Sequence, residues 1–344
     1  MNTEWRYFRR LLIAAGVVFL CYVAWSVADL LPLVFAAVLL SVLMAGFARV
    51  IQSRLSVGHG SALAIVVSAL IVVVGAFGWL FGAELAGQLG EVFRRAPDAL
   101  NTLGSQFGYD DAAARMRDEL SSTPSSGLLS RAASIGYSFV GGILDILLVL
   151  IAAVYLAADP NVYRAGLVLL FPRAQHDRIQ DAMNVTAAAL RLWFLGQLVS
   201  MVLVGFASGF AFWLIGLPSP IGLGLIAGLT NFVPMIGPVV GALPALLLSF
   251  TQGGSAVIWT GLAILIIQQL EGNLITPMVQ RRAVQVPPAL ILFAIAGFGL
   301  LFGWPGIILA VPLAVTCMVL VQKLWVRQTL GGQTSVPGER DAAA

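Results

Sequence analysis

Long apolar runs alternate with short charged connectors along this chain, and the run lengths sort them into elements. The segments Leu11 to Val27, Leu33 to Phe47, Ala62 to Phe81, Ile135 to Ala157, Leu192 to Leu217, Val257 to Ile275 and Leu290 to Leu320 are all apolar enough to enter a bilayer. A helix needs about 20 apolar residues to cross the hydrocarbon core, so Leu33 to Phe47 is a short span and several others are full ones. The pattern predicts an all-α polytopic membrane protein with about 6 to 8 spans.

One run is unlike the rest. From Leu217 to Phe250 the chain reads LPSPIGLGLIAGLTNFVPMIGPVVGALPALLLSF, apolar but broken repeatedly by glycine and proline. Proline removes a backbone donor and clashes with the preceding turn, so Pro234, Gly237, Pro238 and Pro244 cannot all occupy one straight spanning helix. Broken backbone at membrane depth persists only where protein or a water-filled cavity satisfies the freed groups, which is where transporters place their sites.

Outside the spans, Leu85, Leu89, Val92, Phe93, Ala96, Leu100, Leu103 and Phe107 recur at three- and four-residue steps, predicting an external amphipathic helix. Its apolar stripe needs cover, either from Ala112 to Leu120 of the same chain or from a neighbouring subunit. Arg173 to Leu190 reads as an interfacial amphipathic helix running into the next span. The resulting organisation is 1–83, N-terminal transmembrane helices; 84–134, an external helical region; 135–330, a transmembrane transport region with broken hairpins at 221–250 and 288–321; and 331–344, a disordered tail.

Charge sets the orientation. Arg6, Arg9 and Arg10 precede the first span and Arg49 and Arg54 follow the second, so the positive-inside rule places the N-terminus and the Arg49 to His59 loop in the cytoplasm. The start, MNTEWRYFRRLLIAAG, has the charge and apolar run of a signal peptide, yet it lacks a small-residue cleavage site and a second apolar run follows at once. It reads as a retained span. If Ile221 to Phe250 crossed once, Arg281, Arg282, Lys323 and Arg327 would all fall outside. Parity therefore favours a folded-back pair of half-helices joined near Asn231 to Pro238, re-entrant or as two short crossings, and a second pair from Pro288 to Val321. Both termini are then cytoplasmic. IGPVVGALPALLLSF, from Ile236, resembles WPGIILAVPLAVTCM, from Trp304, with Pro244 matching Pro312. Inverted elements around a midplane site would give that echo, and so would chance in two apolar stretches rich in Gly and Pro.

Composition agrees with the runs: 59% of residues are hydrophobic and 10% charged, against about 25% charged in an average soluble domain. The net charge of +3 is spread between spans and leaves no nucleic-acid footprint. Cys21 and Cys317 both fall in apolar segments and read as lone thiols rather than a disulfide or metal pair.

Ionisable groups within spans are costly, so each needs a reason. Asp145, in SFVGGILDILLVLIAAVYLAADP, reads either as a proton or cation site or as an interfacial carboxyl with a partner. Glu271 sits among Gln268, Gln269, Asn273 and Thr276, and Gln268 shares its helix face. That cluster reads as a wall that hydrogen-bonds a small polar solute, or as a clamp between helices. Asn231 and Thr230 lie at the break of the first hairpin, and Gln197 is a further amide in an apolar segment. Gly205 and Gly209, and Gly224 and Gly228, have the spacing of close helix contacts.

Enzyme chemistry lacks its residues. Gly136, Tyr137, Ser138 and Phe139 have the GxSx form of an intramembrane serine protease, but the two histidines, His59 and His176, lie in cytoplasmic segments. There is no HExxH, no GxxxxGK[ST] and no clustered Cys or His set, so neither a metal nor another cofactor is expected.

The signature NFVPMIGPVVGALPA (Asn231 to Ala245), with Arg191 to Gln197 before it and LEGNLITPMVQRR and FGWPGIILAVP after it, resembles the autoinducer-2 exporter family of bacterial membrane transporters. The resemblance is strongest from Arg164 to Lys323; Val233 and Met235 replace the Ile and Tyr of the family pattern. It implies a multi-span protein of the bacterial inner membrane that exports a signal such as autoinducer-2 or exchanges sodium or lithium for protons. A homo-oligomer in the lipid bilayer is expected. In the leading expectation, secondary export by alternating access uses Asn231, Gln268, Glu271, Asn273 and Gln197 as solute contacts. Hinge freedom comes from Gly237, Pro238, Gly306 and Pro312. A cation/proton antiporter using Asp145 and Glu271 is the rival, and a non-transporting scaffold whose external helix binds an envelope partner is the third reading.

Overall fold

The computed structural model describes residues 30–72, 125–275, 286–327 and 330–332, together with Tyr22, Gly75 and Glu339. The expected first span at Leu11 to Val27, the amphipathic stripe from Leu85 to Phe107 and most of the tail lie outside the described residues.

The elements in chain order are α1 (Leu30–Leu55), α2 (His59–Val72), α3 (Ser125–Ala158), α4 (Pro160–Val168), a 3-10 turn (Arg173–Gln175), α5 (His176–Ile215), α6 (Pro220–Thr230), α7 (Ile236–Phe250), α8 (Gly254–Leu270) and α9 (Pro288–Leu320). Wider π-helical turns extend α8 through Glu271–Ile275 and α9 through Val321–Arg327. All regular structure among the described residues is helical. Four stretches are long and apolar enough to cross a membrane: Leu30–Leu55, Arg173–Ile215, Gly254–Asn273 and Pro288–Arg327. Leu144–Ala158 and Pro160–Val168, bent by 88°, make a fifth if taken as one broken span. The chain is thus a polytopic helical membrane protein, with further shorter apolar helices.

Two packed groups form the body. In the first, Met44 and Ala48 of α1, Ala62, Leu63 and Val66 of α2, and Ala153 and Ala157 of α3 share one core. His59 ties the group together: its Nδ1 accepts from the Gln52 amide at 2.9 Å, and its Nε2 donates to the Ala157 carbonyl at 3.0 Å. At Asp159 and Pro160 the chain turns sharply into α4, because proline at the first helical position disfavours continuation from α3.

The second group is built on α5, whose 40 residues span about 60 Å, twice the hydrocarbon thickness. The polar turns from His176 to Asn184 therefore stand outside the apolar part, and the segment expected as an interfacial helix from Arg173 to Leu190 runs straight into the span as the start of α5. α6 lies against α5 at backbone contact: a Cβ on Gly224 would lie 2.5 Å from the Gly209 Cα, and one on Gly228 2.9 Å from the Gly205 Cα. The two small-residue pairs thus face one another. Without side chains between them the backbones gain dispersion contact that any larger residue would remove.

Both apolar hairpins are folded back. α6 and α7 are joined by the turn Asn231–Met235, where Phe232 and Val233 donate to the Leu229 and Thr230 carbonyls, each at 3.1 Å. A Cβ on Gly241 would lie 2.8 Å from the Ala227 Cα, so the second half runs back along the first. The later apolar stretch is also not one rod. Gly303 takes φ 63° and ψ −141°, outside helical geometry, and Ala294 shares a buried cluster with Ala310 and Ala314. In a straight helix Ala294 and Ala310 would stand about 24 Å apart. Only a reversal at Gly303 brings them together.

The breaks sit slightly off the expected hinges. Gly237 and Pro238 lie in the first turn of α7, where a missing donor costs little, and Pro244 is accommodated inside the same helix. Gly306 and Pro312 are both buried in the second half of α9. A Cβ on Gly237 would collide with the Thr230 carbonyl, and one on Gly306 with the Phe298 carbonyl. Each glycine is a close contact between the arms of its own hairpin. The turning residues themselves are Met235, at φ 71° and ψ −42°, and Gly303.

Candidate functional site

The site forms where the first hairpin breaks. Residue Asn231 ends α6, is 1% exposed, and leaves its own carbonyl free of helical partners; Gln197 Nε2 on α5 donates to that carbonyl at 2.6 Å. The Asn231 side chain turns the other way. Its Nδ2 donates to Glu271 Oε1 at 2.7 Å and stands 3.3 Å from Ser200 Oγ. Ser200 Oγ donates to the same Glu271 oxygen at 3.0 Å. One carboxylate oxygen thus receives two donors, one from α5 and one from the hairpin, while the carboxylate itself comes from the π-helical end of α8.

Local sequence explains the convergence. Trp193, Gln197 and Ser200 repeat at four- and three-residue steps, so one face of α5 carries all three. Gln268 and Glu271 are three apart on α8 and likewise share a face. The wider turn that begins at Glu271 is of the kind that recurs at functional sites.

These groups line a cavity of about 900 Å³. Its polar rim is Gln197, Ser200, Asn231, Gln268 and Glu271; Trp193, Met235, Pro238, Val239, Leu243 and Ile264 belong to its apolar wall. The second hairpin contributes Pro288, Ile291 and Val311. Trp193 packs edge-on against Phe232 with ring centroids 5.9 Å apart, fixing the aromatic side of the wall next to the hairpin turn. Glu271 is the only titratable group among the described residues that line the cavity. Chemically, the site offers a carboxylate, three amides and a hydroxyl inside an apolar shell, a set suited to a small polar or cationic occupant.

Of the residues singled out in the sequence, Gln197, Asn231, Gln268 and Glu271 come together here, with Pro238 beside them. Asn273 is exposed and is not among the lining residues, because two positions beyond Glu271 the helix has turned its side chain to another face. Asp145 is exposed on α3, which packs on α1 rather than on this cavity. Gly237, Gly306 and Pro312 are buried behind the lining. Thr230 turns back on its own helix, donating to the Ile226 carbonyl at 2.8 Å. Ser200 and Trp193 were not singled out. Their signal was the shared face with Gln197.

The sequence model of a family described as AI-2E family transporter matches residues 13–325. The chain is 34% identical over 167 residues to YrrI of Bacillus subtilis (strain 168), named a transport protein, covering 48% of this chain and 47% of that one. It is 35% identical over 193 residues to MT0215 of Mycobacterium tuberculosis (strain CDC 1551 / Oshkosh), also named a transport protein, covering 54% and 50%. PerM of Escherichia coli (strain K12), named a permease, is 29% identical over 128 residues, 37% of this chain and 36% of that protein. In each case the matched stretch spans half or less of the relative's length. These names indicate transport rather than catalysis.

Proposed function

The chain belongs to the AI-2E transporter family, and on that premise we propose that it is a secondary exporter of a small polar organic solute, autoinducer-2 or a molecule like it, working by alternating access in the bacterial inner membrane. The observation that carries the proposal is the shared Glu271 oxygen at the hairpin break. A solute with hydroxyl groups can replace Ser200 and Asn231 at that oxygen, and so couples its own binding to the position of the hairpin. Gln197 holds the Asn231 backbone, Gln268 offers a second amide on the Glu271 face, and Asn273 lies one step beyond. Gly237, Pro238, Gly306 and Pro312 flank the two turns and let each hairpin keep its arms in contact while it moves as a body. Both termini are cytoplasmic in this proposal and the protein assembles as a homo-oligomer.

The test is efflux of autoinducer-2 from loaded proteoliposomes. Asn231→Ala with Glu271→Gln should abolish it, and unchanged efflux in that double variant would remove this site from the mechanism.

A second reading rests on Glu271 being the sole titratable group among the described lining residues: exchange of sodium or lithium for protons at that carboxylate. Acridine orange dequenching on adding sodium or lithium, lost in Glu271→Gln and retained in Asp145→Asn, supports it. Loss in Asp145→Asn alone would move the coupling to α3.

A further inference from the structure

Three arginines from three separate elements converge at one edge of the fold. Arg49 stands on α1, Arg164 on α4 and Arg191 on α5. The Arg191 stem lies directly over α1: a Cβ on Gly46, one turn before Arg49, would come within 2.9 Å of Arg191 Cδ. Arg164 Nη1 donates to Asn184 Oδ1 at 2.9 Å, and Asn184 is two turns before Arg191 on the same face of α5. Both Arg164 and Arg191 lie within electrostatic range of the partly desolvated Arg49 guanidinium. None of the three is ion-paired among the described residues, where the salt bridges gather instead at Lys323 and Arg327. Asp159, the nearest acid to Arg164 in the chain, is exposed and does not pair with it. Three like charges held together cost free energy unless an anion lies among them.

The surroundings indicate which anion. At the α-helical rise, the apolar run from Leu30 to Ala48 covers about 28 Å, close to the roughly 30 Å of the hydrocarbon core, so Arg49 stands at the membrane surface. α4 leaves α3 at 88°, and its neighbours of Arg164 are apolar and outward: Val162 is 67% and Tyr163 46% exposed, followed by Leu169 at 74% and Leu170 at 80%. A short helix with exposed apolar side chains beside a guanidinium lies along an interface, apolar groups in the acyl region and the charge at headgroup level. Guanidinium forks match phosphate oxygens in pairs.

We propose that Arg49, Arg164 and Arg191 form a binding site for the phosphate of an anionic phospholipid, with α4 covering its acyl chains. With the orientation proposed above, the site faces the cytoplasmic leaflet. Since Arg191 is six residues from Gln197 on α5, the bound lipid sits about 9 Å along the helix axis from the transport cavity.

The full chain in nanodiscs tests this. Adding phosphatidylglycerol to phosphatidylcholine discs should raise the unfolding temperature, and native mass spectrometry should retain phosphatidylglycerol on the protein. Each arginine removed should weaken that lipid about fivefold, and Arg49→Gln, Arg164→Gln and Arg191→Gln together about 100-fold, with phosphatidylcholine stability unchanged. If the triple variant fails to fold, the single variants are read by retention alone. An undiminished shift and retention in these variants overturns the site. A shift reproduced by 10 mM inorganic phosphate in phosphatidylcholine discs overturns the lipid assignment in favour of a free anion.

Discussion

Removing the Asn231 amide weighs the polar node directly. Its nitrogen is 2.7 Å from Glu271 Oε1 and 3.3 Å from Ser200 Oγ, and the residue is 1% exposed, so water cannot easily replace it. A hydrogen bond to a charged acceptor contributes about 1.5–3 kcal/mol, whereas pairs between membrane helices average about 0.6 kcal/mol. Asn231→Ala loses the short bond, the long one and some packing, and should destabilise by about 2–4 kcal/mol. A double-mutant cycle with Glu271→Ala isolates the shared bond. The interaction energy should be about 1.5–3 kcal/mol if Glu271 is an ionised acceptor. Reversible unfolding of the full chain in mixed micelles, followed by tryptophan fluorescence on titration with sodium dodecyl sulfate, measures all four corners. A coupling below about 0.5 kcal/mol would place the bond with ordinary interhelical contacts and refute the view that the carboxylate organises the hairpin break.

The α5–α6 contact should be intolerant of any side chain: Gly224→Ala, which would drive a Cβ to 2.5 Å from Gly209, should cost about 1–3 kcal/mol or more in the same unfolding assay. Gly261→Ala on α8 meets nothing within 4 Å and should be neutral or stabilising by up to about 1 kcal/mol. Met235→Gly should stabilise by about 1 kcal/mol by relieving a positive φ, and a fall in unfolding temperature would show that the methionine side chain matters more than its backbone. Glu339 bonds Lys323 Nζ at 2.8 Å and Arg327 Nη1 at 2.7 Å. Chiefly through the Lys323 bond, its carboxyl is held below the usual carboxylate value. The docked group has the lower pKa, so its contribution is fully present above the free value of about 4.3 and is lost as pH falls through the docked value. Carboxypeptidase release of the C-terminal residues should accelerate over that acidic window, and Glu339→Gln should remove the pH dependence.

Much of this fold was legible because the bilayer is an unforgiving solvent. Glycine and proline at Pro234, Gly237 and Pro238 ruled out one straight helix, and the positive-inside rule applied to Arg281, Arg282, Lys323 and Arg327 favoured a folded-back segment. Gln268 and Glu271 declared a common helix face by spacing alone. What the sequence could not supply was pairing between distant elements. The spacings of Gly205 with Gly209 and of Gly224 with Gly228 announced two small-residue faces, but only the fold shows that they meet each other. Ser200 looked like one hydroxyl among many, since nothing local says that Glu271, 71 positions later, will accept its hydrogen bond. Arg49 served as a topology marker in the sequence, and its convergence with Arg164 and Arg191 is a tertiary fact. Asn273 shows the converse: composition groups it with Glu271, while helical rotation sets it on another face.

The single oxygen that joins Ser200 and Asn231 also sets a pace. Any motion that carries α8 away from α5 and the hairpin together breaks both bonds at once. Two such losses, at about 1.5–3 kcal/mol each, slow the step by roughly 10² to 10⁴. An occupant that lends its own donors to Glu271 removes most of that barrier. In the proposed mechanism the empty protein is then slow and the loaded one quick, so solute-for-solute exchange should outrun net efflux in the same proteoliposomes.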